Sequence, residues 1–195
     1  MDTLDFLSLI LPDEGLRCIA IPGSKGGFRH YFHNTNEDAA ARAAALDAEG
    51  KNVYYGIASF KTPDNRQGDN ALAVRTLIAD IDCGEGKPYA TKRDAVVELI
   101  NFAAVVGLPR PYVVKSGNGI HAYWPLTESI DTATWKQTAT MLKYAMLHAG
   151  LKADPSRTSD VASVLRPVGT HHRKAEPKPV ELAVVGAVED HSQIL

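Results

Sequence analysis

The sequence predicts an α/β (α+β) fold, built as one domain or as two small lobes. Segments with strand character alternate with segments of helical periodicity along the chain, which favours layers of strands and helices. The chain has 195 residues, of which 45% are hydrophobic, so it can bury a substantial core without disulfides or metal ions. The alternation also predicts at least one mixed sheet.

The first half of the chain predicts a helix, a pair of strands, a second helix and one further strand. In order, the segments are "DTLDFLSLIL", "LRCIAI", "FRHYFH", "NEDAAARAAALDAEG" and "NVYYGIASF". The two paired strands flank the turn "PGSKGG", whose glycines permit positive φ angles. The second helix is expected to have Asn36 as its N-cap and Gly50 just beyond its end.

The second half predicts a strand, a helix, a strand–turn–strand unit, another helix and a final strand. In order, these are "AVRTLIADID", "TKRDAVVELINFAAVVG", "PYVVKSGNGIHAYW", "DTATWKQTATMLKYAMLHAG" and "KPVELAVV". Thr91 and Asp94 have the spacing of a capping box. Asp131 is the expected N-cap of the later helix. One face of that helix is apolar and predicts a core contact through Trp135, Ala139, Leu142, Met146 and Ala149.

Composition and charge exclude several classes of protein. With a net charge of −2, the domain does not bind nucleic acid through overall basic charge, so any such contact is local or assisted by metal ions. Cys18 and Cys83 lack CxxC spacing, which argues against a disulfide scaffold. No signal peptide or membrane-spanning run is evident, so we expect a cytoplasmic protein without membrane contact. We expect residues 1–195 to form one domain of a longer protein.

Two aspartates stand one residue apart at the end of an apolar run, in "LIADID". Side chains alternate faces along a strand, so Asp80 and Asp82 share one face and Ile81 points into the core. Two carboxylates on one face repel each other unless a cation or a shared proton lies between them. Because Mg²⁺ and Mn²⁺ prefer oxygen ligands, the pair predicts a divalent metal site. The alternative is a solvated strand end whose aspartates cap the following loop.

A glycine turn in "KSGNGIHAYW" follows one helix later. Gly117 and Gly119 permit a tight turn whose backbone N–H groups converge on a phosphate, and Ser116 adds a hydroxyl. His121 begins the next strand with Tyr123 on the same face, and its ring can donate to a phosphate oxygen. The alternative is an ordinary hairpin with a surface histidine, because Asn-Gly is frequent in hairpin turns.

A basic segment, "ADPSRTSDVASVLRPVGTHHRK", supplies the third group of candidates. It offers Asp154 and Asp160 as further carboxylates. Its candidates for binding phosphate, with arginine in a forked bidentate mode, are Arg166, Arg173, Lys174 and His172. The alternative is a solvated basic loop. However, Arg166 follows the apolar "SVL" and precedes "PVGT", which favours a structured strand and turn.

The three groups together indicate phosphoryl or nucleotidyl transfer. Carboxylates suit divalent metal ions, while the glycine turn and the basic segment suit phosphates. The adjacent histidines of "THH" fit poorly to the His-hydrophobic-His metal site of relaxases, because neighbours on a strand point to opposite faces.

The order and spacing of these motifs resemble the catalytic domain of the archaeo-eukaryotic primase superfamily, most closely the primase–polymerase domains of bacteriophages and plasmids. That family is marked by hhhDhD, then SGxGxH, then an aspartate followed by LRxPGTxNxK. The matching elements here are "LIADID", "SGNGIH", and Asp154 with "LRPVGTHHRK". The resemblance covers most of the chain. The sequence departs from the family pattern at two places. Pro167 and Val168 stand in exchanged order, which affects the direction of the Arg166 side chain. His172 stands where asparagine is common.

The resemblance implies a role for each matching residue. Asp80, Asp82 and Asp154 would be catalytic ligands of two Mg²⁺ or Mn²⁺ ions, with Asp160 as the rival for the third position. His121 would contact the triphosphate of the incoming nucleotide as a catalytic residue. The implied nucleotide-binding residues beside it are Ser116, Gly117, Gly119, Arg166, His172 and Lys174.

The resemblance further implies a two-lobed fold, with an N-terminal α/β module, an RRM-like catalytic module and an active site in the cleft between them. The implied activity is synthesis of primers on a single-stranded DNA template from NTPs or dNTPs, with or without extension, in phage or plasmid replication. A helicase, attached or associated, is an implied partner, and the domain would be the N-terminal part of a longer replication protein. Two alternatives stay open: a metal-dependent nuclease or relaxase, and a non-catalytic DNA-binding module.

Overall fold

A four-stranded and a five-stranded β-sheet form the framework of the protein, and the computed structural model describes residues 1–193. The helices are α1 (Thr3–Ile10), α2 (Asn36–Ala48), α3 (Lys92–Val106), α4 (Thr132–Ala149) and α5 (Pro155–Thr158). The strands are β1 (Arg17–Pro22), β2 (Phe28–His33), β3 (Tyr54–Gly56), β4 (Ala58–Phe60), β5 (Ala71–Ile81), β6 (Tyr112–Lys115), β7 (Ile120–Asp131), β8 (Val164–Leu165), β9 (His171–His172), β10 (Lys178–Pro179) and β11 (Glu181–Val184). A 3-10 turn spans His191–Gln193.

The pairing of the strands is antiparallel. The order is β2-β1-β3-β8 in the smaller sheet and β11-β6-β7-β5-β4 in the larger one, while β9 pairs separately with β10. All ladders between these strands run antiparallel within residues 1–193, so the fold is of the α+β kind and the expectation of a mixed sheet is wrong. Short turns join β1 to β2 and β6 to β7, and connections of that length produce antiparallel neighbours.

The segment predicted as one strand, "NVYYGIASF", divides between the two sheets. β3 pairs with β1 and β8, whereas β4 pairs with β5 of the larger sheet. Ile57 lies at the crossing and donates its backbone N–H to Ser163 O at 3.3 Å. Residues 55–60 are all buried. The run therefore lacks the alternation of polar and apolar residues that would have marked the break.

The N-cap of α2 differs from the predicted one. Thr35 caps this helix, and its hydroxyl accepts from the backbone N–H of Asp38 at 3.1 Å. Asn36 is buried instead, and its Oδ1 accepts from Arg17 Nε at 3.0 Å. Threonine and asparagine are both good caps, so two adjacent candidates could not be separated by residue type.

The lobe built on the larger sheet has the β-α-β-β-α order of an RRM-like module. Its elements are β5, α3, β6, β7 and α4. α3 begins at the predicted capping box of Thr91 and Asp94. Trp135 of α4 is fully buried, and its Nε1 donates to Thr76 O of β5 at 2.8 Å, which holds the helix against the sheet. The apolar stripe predicted for α4 is buried except at its last member, Ala149, which is exposed.

Helix α1 joins the two lobes. Phe6 meets Tyr55 of the smaller sheet and Tyr123 of the larger sheet edge-on, with ring centroids 5.8 and 5.3 Å away. Thr3 donates its hydroxyl to Val168 O at 2.8 Å, just after β8. These contacts fix the two sheets relative to each other and so define the cleft between them.

Cys18 and Cys83 are buried free thiols. Burial raises the pKa of the Cys18 thiol to about 12, which makes it an unreactive packing residue. No helix within residues 1–193 is both long enough and apolar enough to cross a membrane.

Candidate active site

A cavity of about 520 Å³ opens in the cleft between the lobes. One side is lined from β5, β7 and the start of α5, and the other from β3, β8 and β9. We call the first side the acidic wall (Asp80, Asp82 and Asp154) and the second the basic wall (Arg166, His172 and Lys174). The three sequence motifs, distant along the chain, therefore meet in one place.

The acidic wall begins at the end of β5. Asp80 pairs in register with His121 of β7, and its side chain is 26% exposed. Burial, and then the charges of Asp82 and Asp154, raise the pKa of Asp80 to about 6. Asp82 lies just beyond the strand, where its Oδ2 accepts from Lys87 Nζ at 2.8 Å in a solvent-exposed ion pair. Both carboxylates line the cavity, but only Asp82 has an ammonium partner among the residues described.

The third carboxylate is held in place by a backbone hydrogen bond. The N–H of Asp154 donates to Asp80 O at 2.8 Å. Its Oδ1 caps α5 and accepts from the N–H and hydroxyl of Ser156 at 2.9 and 2.6 Å. Partial burial acts in the opposite direction, but these hydrogen bonds hold the pKa of Asp154 below its ordinary value. Asp160 lies outside the cavity lining, and its Oδ1 accepts from Ala162 N–H at 2.9 Å, so the geometry favours Asp154 over Asp160.

Close packing explains the glycines of the turn between β6 and β7. A Cβ on Gly119 would lie 2.3 Å from Ile81 O, and a Cβ on Gly117 would lie 2.4 Å from His172 Cβ. Gly117 also has a φ of 101°, which favours glycine. Ser116 and Gly119 line the cavity, whereas Gly117 lines a neighbouring one. The turn thus needs glycine so that the end of β5 and His172 can approach it.

Arg166 is the most constrained group of the basic wall. It follows β8 and is 9% exposed. Its Nη2 donates to Tyr54 Oη at 2.6 Å, and its guanidinium lies 4.6 Å from the centroid of the Tyr54 ring. Its Nε is buried and has no hydrogen-bond partner within residues 1–193. A buried cationic donor without an acceptor is unfavourable, so this group is suited to an anionic ligand.

His172 and Lys174 complete the basic wall. His172 of β9 is 5% exposed and packs over Gly117. Burial, followed by the charges of Arg166 and nearby lysines, lowers the pKa of His172 to about 4, so its ring is neutral at physiological pH. A neutral imidazole can still donate one hydrogen bond to a phosphate oxygen. Lys174 is exposed at the cavity mouth.

The residues on either side of His172 face away from the cavity and contact α2. His171 Nδ1 lies 2.8 Å from Asp47 Oδ2, and Arg173 Nη2 lies 3.2 Å from Asp47 Oδ1. Arg173 is therefore not brought to the phosphate-binding side, contrary to its place among the sequence candidates. The two histidines point to opposite faces of β9, as predicted.

His121 of β7 lies beside the acidic wall in the cavity lining and is 2% exposed. Its Nε2 is 3.7 Å from Asp80 Oδ1, and its Nδ1 is 3.1 Å from Tyr123 Oη. Tyr55 in turn donates its hydroxyl to Tyr123 Oη at 3.2 Å. Burial, followed by the charges of nearby arginines, lowers the pKa of His121 to about 3, so this ring is also neutral.

Solved structures share this architecture. The primase–polymerase domain of cyanophage S-2L matches with a TM-score of 0.69 and 19% identity, over 98% of this chain and 94% of that chain. The chain has the archaeo-eukaryotic primase fold. RepB' primase shares it with a TM-score of 0.56 and 16% identity, over 93% of this chain and 56% of that chain. No family model matches the sequence, and no curated protein sequence matches it either.

A further structure with the primase fold is the polymerase domain of Mycobacterium tuberculosis ligase D in complex with DNA. It matches with a TM-score of 0.55 and 16% identity, over 93% of this chain and 78% of that chain. The two-lobed form expected from the sequence motifs is thereby confirmed. Identities this low support the fold, and the chemistry of the site is argued from its own residues.

The three carboxylates of the acidic wall are of a kind that can hold divalent metal ions. Carboxylate oxygens are the ligands that Mg²⁺ and Mn²⁺ prefer. The raised pKa of Asp80 reflects burial and negative charge that a cation would offset. Across residues 1–193, no three acidic, histidine or cysteine side chains converge as a complete metal site. One or two carboxylates suffice for Mg²⁺, however, because water and substrate phosphates supply its other ligands.

The sequence motifs did not include several residues that line the cavity. Tyr54 reaches Arg166 only because β3 pairs with β8. Phe28 meets the Tyr54 ring edge-on with centroids 5.3 Å apart. Lys87 and Arg157 approach the carboxylates of the acidic wall. The only local signal was the presence of aromatic and basic residues next to predicted strands, which does not identify what they contact.

Proposed function

We propose that this chain is a metal-dependent nucleotidyltransferase that synthesises primers on a single-stranded DNA template. The observation that carries the proposal is the acidic wall facing Arg166, whose buried Nε lacks a partner in the described part of the chain. One wall suits divalent cations and the other suits phosphates, and a nucleoside triphosphate with its metal ions presents both. The known structures with this fold support the proposal, since they include primases, one of them in complex with initiator DNA.

In this proposal, Asp80, Asp82 and Asp154 would hold two Mg²⁺ or Mn²⁺ ions. When bound, such ions activate an attacking hydroxyl and neutralise charge on the leaving pyrophosphate. The strand β5 fixes Asp80, and the hydrogen bond from Asp154 N–H to Asp80 O fixes the third carboxylate relative to the first. These contacts fix the backbone of Asp80 and Asp154, whereas Asp82 would exchange its ion pair with Lys87 for the metal ion.

The basic wall would bind the triphosphate. Arg166 lines the cavity while Tyr54 holds its Nη2, so the guanidinium plane is fixed before a phosphate arrives. His121 and His172 would donate to phosphate oxygens, with Lys174 at the mouth and Ser116 beside Gly119. In the reaction the 3′-hydroxyl oxygen bonds to the α-phosphorus and pyrophosphate leaves. Arg166 stabilises the charge that develops on the phosphates.

The wider context is proposed from the motif resemblance and the fold. The substrates would be NTPs or dNTPs, and the setting would be phage or plasmid replication. A helicase would act with the domain, either attached to it or associated. Residues 1–195 would form a single primase–polymerase domain at the N-terminal part of a longer replication protein.

The test is a synthesis assay with single-stranded DNA, Mg²⁺ or Mn²⁺ and labelled nucleotides, without a primer. NTPs and dNTPs are supplied separately, and the Asp80→Ala/Asp82→Ala variant serves as the inactive control. Asp160→Ala is the matched control, because it removes a carboxylate outside the cavity lining. Short labelled products from the wild type and from Asp160→Ala alone would support the proposal.

Other outcomes of this assay would indicate a different function. Extension of a supplied primer without unprimed synthesis would make the domain a polymerase that needs another segment to initiate. No incorporation under either condition would overturn the proposal in favour of a DNA-binding module. Nicking of DNA without nucleotides would instead indicate a nuclease.

A further inference from the structure

A second cavity of about 460 Å³ adjoins the candidate active site. The two cavities share Lys87 and Asn118 in their linings, and the glycine turn that carries Asn118 stands between them. The second cavity is lined by Lys87, Lys92 and Lys178, with Glu85 as the acidic member of its lining. A group of ammonium ions therefore lies next to the acidic wall, on the other side of the glycine turn.

The positive charge in this cavity is crowded. Lys178 donates to Asn118 Oδ1 at 2.8 Å, so one ammonium ion is held against the turn. Partial burial, followed by the charges of Lys178 and Lys115, lowers the pKa of Lys92. Lys87 and Lys115 pair with Asp82 and Glu181, whereas the contact of Lys178 is with a neutral amide. An anion in the cavity would offset the remaining positive charge.

The position of Lys92 adds a second, independent reason. It is the first residue of α3, a helix of 15 residues. The N-terminus of a helix carries partial positive charge, so a lysine there is unfavourable and an anion is favourable. Asp94 of the capping box supplies negative charge to the same turn, and an anion held by Lys92 would add to it.

We propose that Lys87, Lys92 and Lys178 form a phosphate-binding site for the backbone of a nucleic-acid strand that runs out of the active site. The basic wall already provides groups for the triphosphate of one nucleotide, whereas this cavity lies outside it, on the other side of the glycine turn. A domain with a net charge of −2 requires such a local basic site to hold a strand. Phosphate binding at this site does not depend on the proposed function. The identity of the strand as template or product rests on that function.

The test is binding of a labelled single-stranded oligonucleotide by fluorescence anisotropy at several salt concentrations, in EDTA. The variants are Lys92→Gln/Lys178→Gln and the charge-reversed Lys92→Glu/Lys178→Glu; Lys87 is left intact because it pairs with Asp82. Lys51→Gln/Lys143→Gln, outside both cavities, is the matched control. We expect the slope of log K against log salt to lose roughly 1.4 in magnitude, because each phosphate contact on a single strand contributes about 0.7.

Binding of a nucleoside triphosphate is measured on the same variants by calorimetry. Weaker oligonucleotide binding with unchanged nucleotide binding supports the proposal. Loss of nucleotide binding alone would reassign the cavity to a triphosphate and overturn the strand assignment. Unchanged binding of both ligands, or a wild type that binds no oligonucleotide, would overturn it as well. None of these measurements requires synthesis, so the result is separate from the test of nucleotidyl transfer.

A different observation, the buried chain from Tyr55 through Tyr123 to His121, carries a second inference. Tyr55 and Tyr123 are fully buried, and Tyr55 donates to Tyr123 Oη. The hydroxyl hydrogen of Tyr123 is then available for His121 Nδ1, which leaves the ring proton on Nε2, facing the cavity. The reverse direction would leave the Tyr55 hydroxyl without an acceptor in the described structure. It would also turn a lone pair of Nε2 toward the Asp80 carboxylate.

We infer that Tyr123, supported by Tyr55, is a positioning residue that holds His121 in the Nε2–H tautomer, as a hydrogen-bond donor to the cavity. Burial of the chain keeps water from competing for Nδ1. That the acceptor is a triphosphate oxygen rests on the proposed function. The assignment of the tautomer does not depend on that function.

The test combines nitrogen NMR of the histidine rings with kinetics of Tyr123→Phe. This variant keeps the ring that packs on Phe6 and removes only the hydroxyl. We expect the wild type to carry its His121 proton on Nε2 and the variant to lose that preference. The KM for nucleotide should rise on the order of tenfold with a smaller change in kcat. Tyr144→Phe, at a side chain that is 61% exposed, is the control.

A wild-type His121 protonated on Nδ1 would overturn the inference whether or not the protein makes primers. So would a Tyr123→Phe variant with an unchanged tautomer and an unchanged KM. If synthesis is absent from the wild type, the NMR result still decides the tautomer.

Discussion

The acidic and basic walls face each other across one cavity but are built differently. The acidic wall is set by backbone: β5 positions Asp80, and a main-chain hydrogen bond attaches Asp154 to it. The basic wall is set by side-chain packing, with Tyr54 holding Arg166 and a glycine turn receiving His172.

Despite this difference in construction, each wall contains one buried group whose charged form is disfavoured. Burial and neighbouring carboxylates raise the pKa of Asp80 to about 6, while burial and neighbouring cations lower the pKa of His172 to about 4. Each wall therefore gains most from a ligand of opposite charge. In the proposed function, a metal ion would satisfy one wall and the phosphates of a nucleotide would satisfy the other.

The largest effect is expected from removing the charge of the acidic wall. Asp80→Ala or Asp82→Ala should lower the rate of nucleotide incorporation by roughly a thousandfold, because metal ions supply several kcal/mol of transition-state stabilisation. The measurement is single-turnover incorporation in Mg²⁺ and in Mn²⁺, with circular dichroism to verify the fold. Asp154→Ala should also lose activity. Full activity in any of the three would remove that carboxylate from the proposed metal site.

A smaller loss is expected on the basic wall. Arg166→Lys keeps the charge but loses the fork and the contact with Tyr54, so kcat/KM should fall roughly ten- to a hundredfold, as for one or two charged hydrogen bonds. Steady-state kinetics with varied nucleotide would show the loss. The control is Arg93→Lys on the exposed surface of α3. An Arg166→Lys variant as active as that control would mean that the wall acts through charge alone.

The two walls also differ in how much of them the sequence could predict. Asp80 and Asp82 were identifiable because period-two alternation places both on one strand face, a local property. The partners of the basic wall were not identifiable. Tyr54 reaches Arg166 through the pairing of β3 with β8, and that pairing depends on a strand break inside an unbroken buried run.

The same distinction holds for the fold. Helix ends marked by a capping box or a terminal glycine, as at Thr91 and Gly107, were predictable because cap and helix are neighbours in sequence. The antiparallel pairing throughout residues 1–193 was not, because strand pairing is non-local. Asp154 and Asp160 stayed unresolved for the same reason, since the hydrogen bond from Asp154 to β5 and its place in the cavity lining are contacts between distant parts of the chain.

A stability measurement tests how strongly the folded protein disfavours the ionised form of Asp80 in the acidic wall. The pKa of Asp80 rises from its ordinary value of 3.8 to about 6, so ionised Asp80 destabilises the metal-free fold. This penalty is absent below about pH 4, grows as pH rises, and is complete above about pH 6. Asp80→Asn should therefore be more stable than the wild type at pH 7.5 in EDTA, by on the order of 2–3 kcal/mol at about 1.4 kcal/mol per pKa unit.

Urea unfolding at pH 4 and pH 7.5 provides the measurement. The difference between Asp80→Asn and the wild type should appear at pH 7.5 and vanish near pH 4. Mn²⁺ should then stabilise the wild type much more than the variant. An equal difference at both pH values would show that packing, not charge, separates the two proteins.

The smallest effect is expected at Lys87, whose ammonium ion sits where Asp82 would otherwise be free for a cation. The ion pair is solvent-exposed, with side chains 49% and 59% accessible, so its loss should scarcely change the free energy of unfolding. Lys87→Gln should instead lower the Mn²⁺ concentration that gives half of the maximal thermal stabilisation. The decrease should be roughly two- to fivefold, the scale of one solvent-exposed ion pair. A higher Mn²⁺ requirement would contradict this, because it would mean that Lys87 orients Asp82 for the metal rather than competing with it.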